Sequence, residues 1–262
     1  MLLRSITKHV KEQNWFAVTL DFVIVVVGIL IAFQITSWNE DRAAGVQEAQ
    51  TLQALKVDLE VTRPELQRQM RLIKEDQQAR DLLADYVDGK LVDVSIVELD
   101  KLVWLGMWRF GYAEPTVPTL EELKSPGMLS QLGSIELRRA LLELDTQLNM
   151  YRTNYKNVFE TFYSFGDPFL IANYDLRGVF REHPGRAVRP GMGMFDPNRN
   201  RGDISALRSR EFANLLIYRS ALVGDIADTL VDLEMQYVEL LVQIDARICE
   251  LSKSCSNEVN ER

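Results

Sequence analysis

The stretch DFVIVVVGILIAFQITSWNE, residues 21–40, decides the fold of the first part of the chain. Its first residue, Asp21, is followed by an apolar run without a polar side chain as far as Phe33. A helix from Trp15 to Trp38 is about 35 Å long, which is enough to cross a hydrocarbon core of about 30 Å. The tryptophans at its two ends are typical of interfacial aromatic anchors. We therefore predict a single membrane-spanning helix over residues 15–38.

Two other interpretations of this segment remain open. A cleaved signal peptide also follows a basic start, but no Ala-x-Ala site closes the apolar run and Asp21 interrupts it. A buried core helix of this composition would need protein contacts on all of its sides. A membrane anchor requires neither a cleavage site nor protein contacts on all sides, so we adopt this interpretation.

The charges on either side of the segment predict its orientation. Before it lie Arg4, Lys8 and Lys11, whereas mostly acidic residues follow it: Glu40, Asp41, Arg42 and Glu48. Basic residues favour the cytoplasmic side of a membrane. We expect residues 1–14 in the cytoplasm and residues 39–262 in the periplasm, with the anchor in a bacterial inner membrane.

Asp21 shares one helical stripe with the small residues Ala17, Gly28 and Ala32. Small residues let helix backbones approach closely in lipid, and a carboxylate is costly against acyl chains. This pattern predicts a helix–helix interface that contains Asp21 and makes the chain a homo-oligomer or binds it to another membrane protein. The alternative is that Asp21 reaches headgroup water. The outer end of the anchor is marked by Gln34 and Trp38.

Two segments resemble an uncharacterised family of bacterial single-pass membrane proteins with a domain of unknown function. The first consists of an acidic residue, a Gly-Ile-Leu-Ile-Ala run, a glutamine and a Trp-Asn-Glu tripeptide, which are Asp21, Gly28–Ala32, Gln34 and Trp38–Glu40. The second is TLEELKSPGMLSQLGSIELRRAL, residues 119–141, which is similar to a Glu-Leu-Lys-Ser-x-Gly segment followed by a Glu-Leu-Arg helix start. The resemblance implies a membrane-anchored helical protein and no activity.

The part after the anchor shows the three-four apolar spacing of a long amphipathic helix. The residues on this stripe are Leu52, Leu55, Leu59, Thr62, Leu66, Met70, Ile73, Gln77 and Leu83. Thr62-Arg63-Pro64-Glu65 interrupts the pattern with a candidate capping box and a proline suited to a first turn. We expect the helix to kink or to restart there.

Further helices are predicted by capping signals and apolar spacing. Ser95 and Glu98 form a capping box, Thr119 opens a short helix, and Ser125-Pro126-Gly127 forms a turn. Two long stripes follow, one over residues 135–165 and one over residues 226–251 with apolar residues ahead of it. Because such stripes need partners, we predict an all-α fold: one transmembrane helix followed by an antiparallel helical bundle.

Residues 177–203 are predicted to be a loop because they are rich in glycine, proline and arginine and show no periodicity. The loop would bind an anionic partner, a lipid headgroup or the protein's own acidic helices; the alternative is a solvated connector. Its arginines are Arg177, Arg181, Arg186, Arg189, Arg199 and Arg201.

The composition of the chain argues against most kinds of catalytic and metal-binding site. The net charge is -8, and the 262 residues include 2 His and 2 Cys. No catalytic, metal-binding or phosphate-binding motif occurs. We therefore predict no enzyme activity, no cofactor or metal, no nucleic-acid partner and no small-molecule substrate. Cys249 and Cys255 would close a small disulfide loop in an oxidising compartment, or would stay as two thiols.

Three functions fit these features. The first is a membrane-anchored interaction or scaffold protein outside the cytoplasm. The second is a subunit of a proton-driven or transport complex that uses Asp21 as a proton acceptor. The third is a periplasmic sensor module with a separate output partner, since the residues ahead of the anchor are too few for an output domain.

Overall fold

The computed structural model describes residues 15–110, 114–181 and 204–252. Within them all regular elements are helices and no strand occurs, so the predicted all-α class is confirmed. Three long helices form the frame: α1 (Trp15–Val87), α4 (Ile135–Thr161) and α7 (Arg210–Ser252). Between them lie the short helices α2 (Ile96–Val103), α3 (Pro118–Leu123), α5 (Asp167–Asn173) and α6 (Leu176–Arg181).

Helix α1 runs without a break through the position at which a kink or a restart was expected. Pro64 lies inside it, so a restart is wrong. The Thr62 hydroxyl does not cap a new helix; it donates to the carbonyl oxygens of Asp58 at 2.8 Å and Thr116 at 3.0 Å. Leu59 and Leu66, on either side of Pro64, are fully buried. Their packing offsets the backbone bond that proline removes.

Helices α1 and α7 are antiparallel, as the pairs between them show. Lys56 Nζ lies 2.6 Å from Asp245 Oδ1, and Arg63 Nε lies 2.8 Å from Glu234 Oε1. Because the residue numbers rise on α1 as they fall on α7, the two helices run in opposite directions. Helix α7 also packs along α4, where Asn154 Nδ2 donates to the Asp225 carbonyl at 3.4 Å.

Residues 114–124 lie between α1 and α4 and cover that side of the core. The Thr119 backbone N–H donates to Asp58 Oδ2 at 2.7 Å, and Lys124 Nζ lies 3.0 Å from Asp145 Oδ1. Helix α3 begins at Pro118, one residue before the predicted start. The predicted turn at residues 125–127 is present, with Gly127 at a φ of 84°.

The predicted Ser95 cap of α2 is confirmed, since the Ser95 hydroxyl accepts from the Glu98 backbone N–H at 3.2 Å. The ends of α2 and α4 differ from the expectation, because each continues into one π-helical turn, Trp104–Trp108 and Phe162–Gly166. Such turns are often found at functional or specially packed positions in helices.

Two apolar clusters fill the bundle. The first lies nearer the candidate anchor and includes Leu55, Leu144 and Leu230, each fully buried. The second lies at the far end and includes Leu83, Phe169 and Phe212. Between the two clusters α1 carries buried polar side chains, which form the layer described below.

Candidate functional site: anchor segment and charged layer

The first part of α1 has no packing partner within the described residues. Every side chain from Thr19 to Ala44 is exposed. No residue of the apolar stretch that is long enough to span a membrane is buried against another described part of the chain. Phe22 is 68% exposed and Phe33 is 71% exposed, on opposite ends of the apolar run. One helix is therefore a candidate membrane span, as its length and composition predict.

The structure places the predicted anchor residues along this exposed part of α1. Ala17 lies within α1, and Asp21, Gly28, Ala32, Gln34 and Trp38 are all exposed. A methyl group added at Gly28 would meet nothing within 4 Å. The stripe of small residues is thus open to a second helix, and its role as an interface stays a prediction.

The predicted arginine loop begins later than the sequence indicated. Arg177 and Arg181 lie in α6, so the prediction that they belong to a loop is wrong. Asp175 explains the helix: its carboxylate accepts from the Arg177 backbone N–H at 3.2 Å and also binds the Arg177 guanidinium. Val179, on the inner side of α6, is fully buried. The remaining predicted residues lie outside the described part of the chain: Arg186, Arg189, Arg199 and Arg201.

Cys249 lies near the end of α7 and is disulfide-bonded. Cys255, the other cysteine of the chain, lies outside the described residues.

A clamp of charged groups holds the two long helices together just above the anchor segment. Glu48 of α1 accepts from Arg247 of α7 through two oxygens, at 2.9 and 3.0 Å, and from the Gly133 backbone N–H at 2.9 Å. Burial raises the pKa of Glu48, but the hydrogen bonds from Arg247 and Gly133 outweigh it and hold this pKa below its ordinary value. A Cβ added at residue 133 would collide with the end of the Arg247 side chain, so the clamp would have to shift to accommodate it.

A second charged group lies in the layer between the two apolar clusters. Asp76 of α1 is fully buried and forms an ion pair with Arg109, which follows the first π-helical turn. Arg109 also donates to the Leu72 carbonyl at 2.9 Å and to Glu75 at 3.1 Å. This pair fixes the end of the π-helical turn against α1. Asp76 is fully buried, whereas Arg109 is partly exposed and also pairs with Glu75.

Arg219 of α7 completes this layer from the opposite side. Its Nε donates to the Gly106 carbonyl at 2.9 Å, and Nη2 donates to the Arg109 carbonyl at 3.1 Å. Its guanidinium lies over the Phe110 ring, 4.4 Å from the centroid, and near the Phe162 ring. Both cation–π contacts and both hydrogen bonds tie α7 to the two π-helical turns.

The contacts of the layer hold the helices in position, and the cavity on its Arg219 side is small. The cavity beside Arg219 has a volume of about 20 Å³. That is room for about one water molecule. Among the described residues no group of three or more His, Cys, Asp or Glu is arranged to hold a metal ion.

Sequence reasoning missed Gln69, Asp76 and Arg80, each of which is at most 1% exposed. The three-four spacing continues through them, but the apolar neighbour Met70 was assigned to the stripe in place of Gln69, and Gln77 in place of Asp76. Met70 is partly buried and packs at the edge of the first cluster, whereas Gln77 is only partly buried and Asp76 takes the core position beside it. Keeping the spacing strict and accepting polar residues would have identified this layer.

Comparison of the chain with known proteins returned no matching family model, no matching curated protein and no matching solved structure.

Proposed function

We propose that the chain is a single-pass membrane protein whose helical bundle stands outside the bilayer and interacts with other protein chains. The observation that carries this proposal is the exposure of all described side chains from Thr19 to Ala44 on a helix that then enters the bundle core. An apolar helix surface of this size is unstable in water and stable in lipid.

The same helix makes the bundle a rigid extension of the anchor. Helix α1 continues for about 70 Å beyond Trp38 at 1.5 Å per residue. The clamp at Glu48 and the Asp76–Arg109 pair hold α7 and the π-helical turns to it. A protein built in this way supports interaction at a fixed distance from a membrane, so we favour a scaffold over catalysis.

The distribution of basic residues supports the orientation that we propose. Arg4, Lys8 and Lys11 precede the anchor, and the chain after it is acidic. In a bacterial inner membrane this places the amino terminus in the cytoplasm and the bundle in the periplasm. A disulfide at Cys249 is compatible with that oxidising compartment.

The test is alkaline carbonate extraction of membranes from cells that express the full chain. Wild-type protein is expected in the pellet, whereas the Val26→Arg/Ile29→Arg variant is expected in the supernatant or degraded. Each arginine at the centre of a span costs about 3 kcal/mol of insertion free energy. The matched control is Val57→Arg/Val61→Arg, which changes two exposed valines of the bundle half of α1 and should stay in the pellet. Wild-type protein in the supernatant contradicts the anchor.

Orientation is tested separately with reporters fused after Arg262. Alkaline phosphatase, which needs an oxidising compartment, is expected to be active, and a cytoplasm-dependent fluorescent protein is expected to be dark. The reverse pattern would overturn the periplasmic assignment and leave the anchor intact.

The alternative role of Asp21 as a proton acceptor is tested by Asp21→Asn. This change keeps the shape and hydrogen bonding of the side chain and removes its titration. A scaffold is expected to keep its membrane partners in a crosslinked pull-down and its cellular phenotype. Loss of the phenotype with an intact complex would favour the proton-driven alternative.

A further inference from the structure

Helix α7 carries a second apolar stripe on the face opposite the core. The stripe, here called the outer stripe, repeats at alternating spacings of four and three residues from Ile217 to Val242. Ile217 is 70% exposed and Val242 is 65% exposed, whereas core positions of the same helix such as Val223 are fully buried. Its other exposed apolar side chains are Val231, Met235 and Val238.

The spacing of the outer stripe is typical of a helix that packs against a partner helix. Single exposed apolar residues need no explanation, but a sustained four-three repeat over about 38 Å of helix does. Ala221 and Gly224 continue the repeat with small side chains, and a methyl group added at Gly224 would meet nothing within 4 Å. Only Asp228 interrupts it with a charge.

The rim of the stripe on the α4 side is acidic. Asp225, Asp232 and Glu239 follow one another at spacings of seven residues, so they lie in one row beside the stripe. The hydrogen bond from Asn154 to the Asp225 carbonyl places this row next to α4. None of the three carboxylates forms an ion pair within the described part of the chain.

The rim on the α1 side, here called the basic rim, carries four basic side chains, two of which are already paired with acidic residues of α7. Lys56 and Arg63 of α1 lie along it, held to Asp245 and Glu234 of α7. Arg71 and Lys74 lie further along the same side of α1, because they follow Gln67, another partner of Glu234, by four and seven residues. Both are exposed and form no ion pair within the described residues. The acidic side chains on this rim are Glu60, which lies 3.8 Å from Lys56, and the α7 partners Glu234 and Asp245.

We propose that two copies of this chain pair in parallel through their outer stripes. A twofold axis along the stripe brings the basic rim of each copy against the acidic rim of the other. The antiparallel register of α1 and α7 puts Arg71 at the height of Asp225, and Arg63 at the height of Asp232. A twofold axis across the stripe would make the copies antiparallel and bring acidic rim against acidic rim, which is unfavourable.

The membrane anchor compensates for the small area of the outer stripe. A strip about 38 Å long and 10 Å wide covers roughly 400 Å² per copy, about half of what a stable interface in solution buries. Two copies inserted in one membrane in the same orientation are already parallel and at the same height, so their effective concentration is high. The pairing therefore rests on the proposed anchoring, and it names a second copy as the partner of the bundle.

Cysteine crosslinking in intact membranes tests the pairing. Val231→Cys and Val238→Cys are expected to give a disulfide-linked dimer on mild oxidation, because each lies opposite itself in a parallel pair. The matched control is Val61→Cys, a valine on the outward face of α1 that is more exposed, at 73%, than Val231 at 43% and Val238 at 40%. This control and the wild type should stay monomeric on a non-reducing gel.

The ends of the stripe distinguish the two directions. In a parallel pair, Ile217→Cys and Val242→Cys each form a dimer alone. In an antiparallel pair neither does, and a dimer appears only when the two variants are co-expressed, which would overturn the proposal.

Charge exchange tests the rims. Asp225→Lys and Arg71→Glu are each expected to lower the dimer yield of Val238→Cys several-fold, and the two together in one chain are expected to restore it. Arg71 forms no ion pair with the described residues of its own chain. Reversing its charge is therefore expected to leave the fold intact. Failure of the double variant to restore the yield would overturn the assigned facing of the rims.

The same membrane samples separate this inference from the proposed function. Absence of a dimer for both Val231→Cys and Val238→Cys in carbonate-resistant membranes overturns the pairing and leaves the anchor standing. Crosslinking of these positions to a different protein would equally overturn it. Protein that washes off the membrane contradicts the anchor itself.

Discussion

The two halves of helix α1 are made of the same backbone but of different side-chain patterns. From Thr19 to Ala44 the apolar residues surround the helix and all are exposed. From Glu48 to Val87 one stripe is buried and the other faces are mostly polar, with Val57, Val61 and Leu82 as exposed large apolar exceptions. A helix that is apolar all round needs an apolar solvent, and a helix with one apolar stripe needs partner helices. The difference teaches that one continuous helix combines a candidate membrane span with a helix packed in a bundle.

The largest expected effect lies in the bundle half of α1. Asp76→Asn removes the fully buried one of the two carboxylates that pair with Arg109 and is expected to lower the free energy of unfolding by about 4 kcal/mol. Urea unfolding of the full chain in detergent, followed by circular dichroism, measures it. Asp93→Asn, at an exposed position, should change it by less than about 0.5 kcal/mol. Equal effects of the two changes would show that the buried pair does not hold the layer.

The apolar core of the same half is expected to be nearly as sensitive. Leu59 is fully buried beside Pro64, so Leu59→Ala leaves a cavity and should cost about 3 kcal/mol of unfolding free energy. Val61→Ala, two residues later and 73% exposed, is the control and should be close to neutral. A neutral Leu59→Ala would contradict the packing that keeps α1 continuous through Pro64.

The clamp between the two halves is expected to make stability depend on pH. Because the folded pKa of Glu48 is lowered, its contribution is present above the ordinary glutamate pKa of about 4.3 and is lost as pH falls through the folded pKa. Near neutral pH, Glu48→Gln should cost about 1–2 kcal/mol of unfolding free energy. The difference from wild type should shrink as the solution is acidified below that pKa. Glu143→Gln, an exposed control, should show no such trend.

The smallest expected effect lies in the anchor half. Ile29→Ala removes as much apolar volume as a core change, but Ile29 contacts no part of the bundle, so the free energy of unfolding in detergent should change by less than about 0.5 kcal/mol. A loss comparable with that of Leu59→Ala would mean that the anchor packs on the bundle, and the comparison between the halves would fail.

Much of the helical frame followed from the sequence. The three-four apolar spacing identified Leu52, Leu59 and Leu66 as core residues. The Ser-x-x-Glu pattern identified Ser95 as a helix cap. Both features are local consequences of residue spacing. Of the two outcomes predicted at Pro64, the restart did not occur, because a local preference for a helix start lost to packing on both sides. The prediction was wrong at Arg177, where Asp175 completes a short helix that composition alone did not indicate.

The charged layer could be predicted only in part. Its positions on α1 continue the stripe, but their partners Arg109 and Arg219 are far away in sequence and reach α1 through π-helical turns that no spacing rule foresees. Gly106 is needed there because a side chain would meet Leu83 and Arg80, a constraint that exists only once the elements are packed.

By itself the sequence determined that residues 15–38 are suited to a membrane and that the described part after them is mainly helical, because hydrophobic pattern and capping act within one helix. Only the tertiary structure decided which polar groups are buried together, that α1 stays unbroken, and that α7 leaves a second stripe uncovered. Those outcomes depend on which faces of distant helices meet. The free energy of such contacts cannot be deduced from a sequence pattern within one helix.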